Sequence, residues 1–239
     1  MFRFNPGVPL KKLLCTALLI IPALHLGAAE DFSGQLYRRG SQKGELLFTL
    51  KAERQKDLWV DHYYDAKGAD AVIERVTLKD GQPIRYEFDD QQQKGLGSLV
   101  VHAKTLTLSW QQDGKTKTKE VEAPSNLTFG PLYPSLLRQH FDELLKGERV
   151  LGTVPVLSRD HLMTAELAFQ RKPKLERGDG TVCVSMKPAN WFVALFFPPI
   201  DLYFDEKTRA LMDVHGMSLL REKKKADWVM TEVDLYYQY

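Results

Sequence analysis

Cysteine is nearly absent from this sequence. The 239 residues contain two, and Cys15 lies in an N-terminal segment that we expect to be removed, so Cys183 is the one cysteine expected in the mature chain. A single cysteine cannot form an internal disulfide, so burial and hydrogen bonding must hold the fold together. Cys183 alternates with Val182 and Val184. This pattern favours a small, partly buried strand residue over a nucleophile.

Motifs of the common catalytic and cofactor sites are also missing. There is no Gly-x-Ser-x-Gly elbow, phosphate-binding glycine loop or dinucleotide fingerprint. The carboxylate pair Asp89-Asp90 lies in polar, turn-like surroundings, which gives no sign of burial and no support for catalysis by a raised-pKa acid. The histidines that follow the leader lie on separate predicted elements, without the spacing of paired metal ligands. They are His62, His102, His140, His161 and His215. We predict no metal, no cofactor and no enzymatic activity, with a hydrolytic enzyme as the less favoured alternative.

The N-terminal segment has the order of a secretory signal peptide. Arg3, Lys11 and Lys12 precede a short apolar run over residues 13–26, and small residues end it at Ala29. The run is too short for a comfortable membrane span. We predict a signal peptide over residues 1–29, cleaved after Ala29.

The chain that would remain carries no excess of either charge. Removing residues 1–29 takes away three of the 33 basic residues and none of the 31 acidic ones, leaving 30 against 31 and a formal net charge of −1. Such a chain has no global positive field to attract nucleic acid, and we predict no nucleic-acid partner. An exported protein with one cysteine fits a bacterial periplasm. We therefore predict a single β-rich periplasmic domain over residues 30–239.

Alternation of apolar and polar residues dominates this domain and predicts β-strands. Two Asp-Gly pairs, Asp80-Gly81 and Asp113-Gly114, lie between alternating segments and predict tight hairpins. Lys115, Lys117 and Lys119 alternate with threonines, which favours an exposed edge strand over a lipid-binding one.

One segment, Pro131 to Lys146, follows a helical period instead. Leu137, Phe141, Leu144 and Leu145 recur at i, i+4, i+7 and i+8 and form one apolar stripe. The sequence therefore predicts one amphipathic helix of about three turns, laid on a sheet. The predicted fold is mainly β: one curled antiparallel sheet, an open or half barrel, packed on that helix, plus a short apolar helical segment.

That apolar segment is the seven-residue run Trp191 to Phe197. Asn190 is suited to cap a short helix there, and Pro198-Pro199 must end it. The run is too short to span a bilayer. Three interpretations remain open: the run fills the core, walls an apolar cavity, or inserts into a membrane surface. We predict a cavity wall that binds a ligand, through Trp191, Phe192, Leu195, Phe196 and Phe197.

The order of leader, curled sheet and helix resembles exported bacterial lipoprotein-carrier proteins of the LolA/LolB type and uncharacterised exported bacterial β-rich families. The local similarities are "HFDELLKGERV" (His140 to Val150), "MKP" (Met186 to Pro188) and "PPIDLYFDEKTRALMDVHG" (Pro198 to Gly216). They span 33 residues in total and match no ligand motif. The resemblance implies an acyl chain bound in the hollow of an unclosed barrel.

The predicted function is that of a soluble periplasmic protein that binds a lipid or acyl chain in or beside the sheet. The alternative is an interaction or structural module that binds a partner's apolar segment. A carrier would hold an apolar cavity of several hundred Å³. An interaction module would show a filled core and an exposed apolar patch. Either version makes at most peripheral contact with a membrane.

Overall fold

The computed structural model of this protein describes residues 31–239 except 42, 179, 196 and 226. The predicted leader, the cleavage site after Ala29 and the side chain of Phe196 therefore lie outside the described residues. No helix in this described part of the chain is long and apolar enough to cross a membrane.

Strands form most of the structure, and they precede and follow one short helical region. The first eight are β1 (Phe32–Arg38), β2 (Leu46–Arg54), β3 (Leu58–Asp65), β4 (Asp70–Lys79), β5 (Gln82–Asp90), β6 (Gly95–Val101), β7 (Thr105–Gln112) and β8 (Lys115–Glu122). The helical region holds a 3₁₀ turn (Gly130–Leu132), α1 (Tyr133–Gln139) and α2 (Phe141–Leu145). The remaining elements are β9 (Val150–Leu157), β10 (Leu162–Arg171), a 3₁₀ turn (Pro173–Leu175), β11 (Thr181–Pro188), α3 (Trp191–Ala194), β12 (Ile200–Asp205), β13 (Leu211–Lys224) and β14 (Asp227–Gln238).

All 14 strands belong to one antiparallel sheet, which confirms the predicted fold class. The strand order is β8-β7-β6-β5-β4-β3-β2-β1-β14-β13-β12-β11-β10-β9. Consecutive strands pair with each other except for β8 and β9, which are the two outermost strands, and β1 also pairs with β14, where Leu36 faces Leu235. The first and last strands of the described chain therefore lie in the middle of the sheet, and two arms extend from that central pair.

The two Asp-Gly hairpins are confirmed. Asp80 and Gly81 have φ values of 52° and 74°, and Asp113 and Gly114 have 51° and 71°. Two successive positive φ values are those of a type I′ turn, whose twist matches that of the flanking strands. The strand pairs therefore begin immediately beside each turn, with Lys79 opposite Gln82.

The sheet is open, and its two outermost strands protect their edges differently. β8 carries exposed lysines, as predicted for an edge strand that must not pair with another chain. β9 is covered by the chain that follows β8: Thr128 N–H donates to Thr153 O at 2.8 Å, and Thr153 N–H donates to Asn126 O at 2.9 Å. This backbone pairing occupies the edge of β9 through which the sheet would otherwise close.

The predicted single helix is two short helices. It breaks at His140, whose φ of −101° and ψ of 19° are not helical, so α1 and α2 each last only one to two turns. The burial prediction holds nevertheless. Leu137, Phe141 and Leu144 are fully buried against β9–β13, while Leu145 is half-buried. The break redirects the chain while the apolar stripe stays on the sheet.

The concave face of the sheet holds two packed clusters of apolar side chains. One lies between β1–β8 and the segment that enters the helices, where Phe129 and Leu132 are buried. The other lies between α1, α2 and β9–β13. The two arms also meet: a Cβ placed on Gly97 of β6 would lie 2.8 Å from Leu157 Cβ of β9, so the glycine permits this close approach.

Candidate functional site

The segment 189–199, between β11 and β12, is held in place by local hydrogen bonds. Asn190 Oδ1 accepts from the backbone N–H of Phe192 at 2.9 Å and of Val193 at 3.3 Å, which caps α3 as predicted. Ala189 N–H donates to Glu166 O at 2.8 Å, and Arg149 Nη2 donates to Ala189 O at 3.0 Å. These contacts tie the start of the segment to β10 and to the residue that precedes β9.

The apolar side chains of this segment are exposed. We call the described residues Trp191 to Leu195 together with Phe197 the apolar segment. Their exposed fractions are 75% for Trp191, 68% for Leu195, 57% for Phe192, 52% for Phe197 and 39% for Val193. The interpretation of the run as core is therefore wrong. A helix of four residues offers one narrow face to the sheet, filled here by the half-buried Ala194.

The structure does not place the apolar segment around a described cleft. Two surface clefts, of about 460 and 330 Å³, are lined mainly by charged and polar residues and lie elsewhere. The larger is lined by Lys117, Thr118, Lys119, Arg159, Asp160 and Leu162. The assignment of Trp191, Phe192, Leu195 and Phe197 to ligand binding stays a prediction, now for an exposed surface, and Phe196 lies outside the described residues.

A second candidate is a group of buried ionisable side chains on the concave face. Asp61 of β3 and Glu74 of β4 are directly opposite each other and are both buried. Arg54 of β2 forms an ion pair with Asp61, with 2.5 Å between Nη2 and Oδ1, and both side chains are almost fully buried. The same guanidinium donates to the carbonyl groups of Glu53 and Val60 at 3.2 Å. This cation compensates one of the two opposed carboxylates.

Glu74 forms no ion pair of its own among the residues that the structure describes. Burial raises its pKa to about 7, with a further contribution from the charge of Asp61, against the lowering effect of the Tyr86 hydrogen bond. Tyr86 Oη donates to Glu74 Oε1 at 2.5 Å. Such a carboxyl, titrating near neutral pH, is suited to proton transfer.

The fold encloses this carboxyl. Phe129 stacks on Tyr86 with ring centroids 4.5 Å apart. Gly130 lies so close to Glu74 that a Cβ there would overlap the carboxylate oxygen. Glu74 is therefore covered by the chain that leads into α1, and we assign the buried group a structural role.

Sequence reasoning overlooked the burial of these carboxylates. Asp90, which was expected to be exposed, is buried and forms an ion pair with Arg221 at 2.7 Å. Burial raises the pKa of Asp90. A signal was present in the period of two, which places Asp61 on the same face as Trp59 and Tyr63.

A third candidate lies on the convex face, around His215 of β13. His215 Nε2 is 2.5 Å from Asp213 Oδ1, and Nδ1 is 2.6 Å from Asp234 Oδ1. Arg177 lies over the ring of Tyr203 at 4.0 Å and donates to both oxygens of Asp213, at 2.7 and 3.1 Å. This cluster joins β13, β14 and the 173–180 loop.

The proton arrangement of His215 follows from these neighbours. Burial opposes its protonation, but hydrogen bonds and charge from Asp213 and then Asp234 outweigh burial and raise its pKa. Arg177 Nη2, at 2.8 Å from Nε2, is a competing cation. When His215 is protonated, both of its ring N–H groups donate to carboxylates, so the imidazolium has no free lone pair and stabilises the cluster rather than acting as a general base. Buried Cys183 is also unsuited to nucleophilic chemistry, because burial raises its pKa to about 11.

We expect His215→Gln to lower stability more at pH 5.5 than at pH 8. The folded pKa of His215 is raised above its ordinary value of 6.5, so its contribution is complete below that pH and is lost as the pH rises through the folded pKa. Loss of the charged hydrogen bonds should cost roughly 1–2 kcal/mol at the lower pH. Urea unfolding of parent and variant at both pH values measures this. An equal difference at both would show that His215 does not titrate in this range.

No cluster of three or more His, Cys, Asp and Glu side chains in the described ranges is arranged to hold a metal ion. No protein-family model matches the chain, and no curated protein is significantly similar to it.

Proposed function

We propose that this protein, exported to the periplasm, binds the acyl region of a lipid through the apolar segment on its surface. The exposure of that segment carries the proposal. Soluble proteins rarely leave a contiguous group of large apolar side chains in water unless a partner covers it. Fully burying a large apolar side chain contributes roughly 1.5–3 kcal/mol, so covering the exposed part of these side chains is favourable.

The space on the concave face of the sheet is filled by side chains, which supports binding of the acyl chain outside the sheet. In the resembled carriers an acyl chain occupies the space under the curled sheet. Here that space holds the protein's own side chains, among them the buried Phe129, Leu132, Leu137, Phe141 and Leu144. An acyl chain would have to displace these side chains, whereas the apolar segment is accessible without rearrangement.

The second candidate is an interaction module that covers the apolar segment with a partner protein. The same two observations, a packed core and an exposed apolar group, favour it over an internal carrier. The neighbouring Trp191 and Phe192 rings, 5.9 Å apart and nearly perpendicular, are of the kind that anchors protein interfaces.

The variant Trp191→Ser/Leu195→Ser should bind a fluorescently labelled fatty acid at least about tenfold more weakly than the parent, since each lost apolar contact removes roughly 1.5 kcal/mol or more. Both side chains are exposed, so the free energy of unfolding should change by less than about 0.5 kcal/mol. Fluorescence titration measures the first quantity and urea unfolding the second.

The control is Leu175→Ser, which removes another exposed apolar side chain, 45% exposed, from the 3₁₀ turn after β10. Binding that is unchanged in the double variant, or equally reduced in the control, would refute the proposal. If the parent does not bind the labelled fatty acid but its apolar segment is protected by a co-purified protein, the second candidate replaces the first.

A further inference from the structure

β13 and β14 continue beyond the sheet as a two-stranded ribbon. The last residue of β13 that pairs with β12 is His215, and the last residue of β14 that pairs with β1 is Val233. Pairing between β13 and β14 nevertheless extends to Lys224 opposite Asp227. Among the described residues, 217–231 therefore form a hairpin with no paired strand on either side, although Leu220 within it is buried in the core, and we call this hairpin the ribbon.

The base of the ribbon is held firmly from both sides. Arg221 Nη1 donates to Asp90 Oδ2 at 2.7 Å, and the side-chain amide of Gln92 pairs with the backbone of Arg221 at 2.6 and 3.0 Å. On the other side, Arg38 donates to both oxygens of Glu222 at 2.8 and 2.9 Å. These contacts hold the ribbon in one orientation, so its tip is presented as a defined surface.

The tip of the ribbon combines exposed lysines with exposed apolar side chains. Lys223, Lys224 and Lys225 are exposed, and Trp228 lies directly opposite Lys223. The exposed fractions are 38% for Trp228, 41% for Val229 and 39% for Met230. Lysines alone would be an ordinary solvated turn. Lysines beside a tryptophan and two aliphatic side chains resemble the composition of surfaces that lie at the boundary between lipid and water.

The ribbon and the apolar segment extend from the same end of two adjacent strands, β13 and β12. The segment ends where β12 begins at Ile200, and the ribbon begins just after Gly216 of β13. A Cβ on Gly216 would lie 3.0 Å from Ile200 Cα, so these two points are in contact. This end of the strands, which we call the ribbon end, therefore presents two groups of exposed apolar side chains together with three lysines.

We propose that the ribbon end docks on the surface of an anionic phospholipid bilayer. The apolar segment and residues Trp228, Val229 and Met230 enter the interface, and Lys223, Lys224 and Lys225 contact lipid phosphates. The proposal rests on the proposed function and specifies the ligand of that function, which is lipid in the form of a negatively charged bilayer surface. Charge complementarity selects this partner, because an uncharged apolar partner would gain nothing from three adjacent lysines.

The experiment is vesicle co-sedimentation of the full chain with two vesicle types, phosphatidylcholine alone and phosphatidylcholine mixed with phosphatidylglycerol. The variant Lys223→Glu/Lys224→Glu/Lys225→Glu should bind the anionic vesicles at least about 100-fold more weakly than the parent, because each lysine at such a surface contributes roughly fivefold. Raised salt should weaken binding of the parent in the same direction.

The matched control is Lys146→Glu/Lys174→Glu/Lys207→Glu. It makes the same charge change with exposed lysines in connections at the opposite end of the strands. It should keep the parent's affinity within about threefold, since these lysines would face away from the bilayer by more than a Debye length of about 10 Å. Circular dichroism and thermal unfolding establish that both triple variants are folded.

Three outcomes would overturn the proposal. An equal loss of vesicle binding in both triple variants would indicate that binding responds to the net charge of the protein rather than to the lysines of the ribbon end. Equal binding of the parent to both vesicle types would remove the role of the lysines, while loss in Trp191→Ser/Leu195→Ser would still sustain the proposed function. Failure of the parent to bind either vesicle, with the labelled fatty acid or a protein still bound, would also exclude a bilayer surface and leave a free lipid or a protein partner as ligand.

Discussion

Arg54→Met should lower the free energy of unfolding by about 3–5 kcal/mol, as the loss of one partner of a buried ion pair does. The substitution leaves the carboxylate of Asp61 buried, directly opposite the second buried carboxyl of Glu74. It also removes the donor to the carbonyl groups of Glu53 and Val60, and the contacts of the guanidinium with the rings of Phe32 and Trp59 at 4.8 and 5.2 Å. Chemical denaturation at neutral pH measures the loss.

The double variant Arg54→Met/Asp61→Leu tests the cause. Because a buried ion pair is often replaceable by apolar residues at little net cost, this variant should recover most of the lost stability. The surface ion pair of Lys51 and Glu53 provides the comparison, and Lys51→Met should cost less than about 1 kcal/mol. If Arg54→Met were as mild as Lys51→Met, Asp61 would not depend on Arg54 for compensation.

Glu74→Gln should make the protein more stable than the parent at pH 8, by roughly 3 kcal/mol, and leave its stability nearly unchanged at pH 4.5. The pKa of Glu74 rises from an ordinary 4.5 to about 7 in the folded state. The stability that neutral Glu74 contributes is therefore complete below pH 4.5 and is lost as the pH rises through 7. Glutamine imitates the neutral form and can still accept the hydrogen bond from Tyr86.

Denaturation curves of parent and variant between pH 4.5 and 8 measure this difference directly. Glu120→Gln on the exposed strand β8 removes the same charge from a solvated position and should leave the pH dependence of the parent unchanged. A difference between parent and Glu74→Gln that stays constant across the range would mean that Glu74 does not change its charge within it.

The elements that could be predicted from sequence are those specified by short-range chemistry. The Asp80-Gly81 and Asp113-Gly114 turns need only local backbone angles, and strand alternation needs only neighbouring side chains. The buried stripe of Leu137, Phe141 and Leu144 also follows from one helical period. The break at His140 did not follow from it, because an apolar stripe is equally continuous over one bent or two short helices.

The candidate sites depended on contacts that the sequence does not display. The apolar segment was predicted to wall an apolar cavity, whereas its described side chains are exposed at the surface and the space under the sheet is occupied by Phe129 and the helices, whose position depends on the whole sheet. The pair of Asp61 with Arg54 and the clamp on His215 bring together residues from separate strands. Their side chains meet only after strand register has been set.

Sequence alone determined the class of fold, one antiparallel sheet with a helical insertion, because the period of apolar residues and the turn residues are local properties of the chain. Tertiary structure decided the pairing of β1 with β14, the burial of Asp61 and Glu74, and the placement of the ribbon and the apolar segment at the same end of the strands. Each of these joins residues far apart in sequence. The free energy that selects them comes from packing and desolvation across the assembled sheet, which no short stretch of sequence contains.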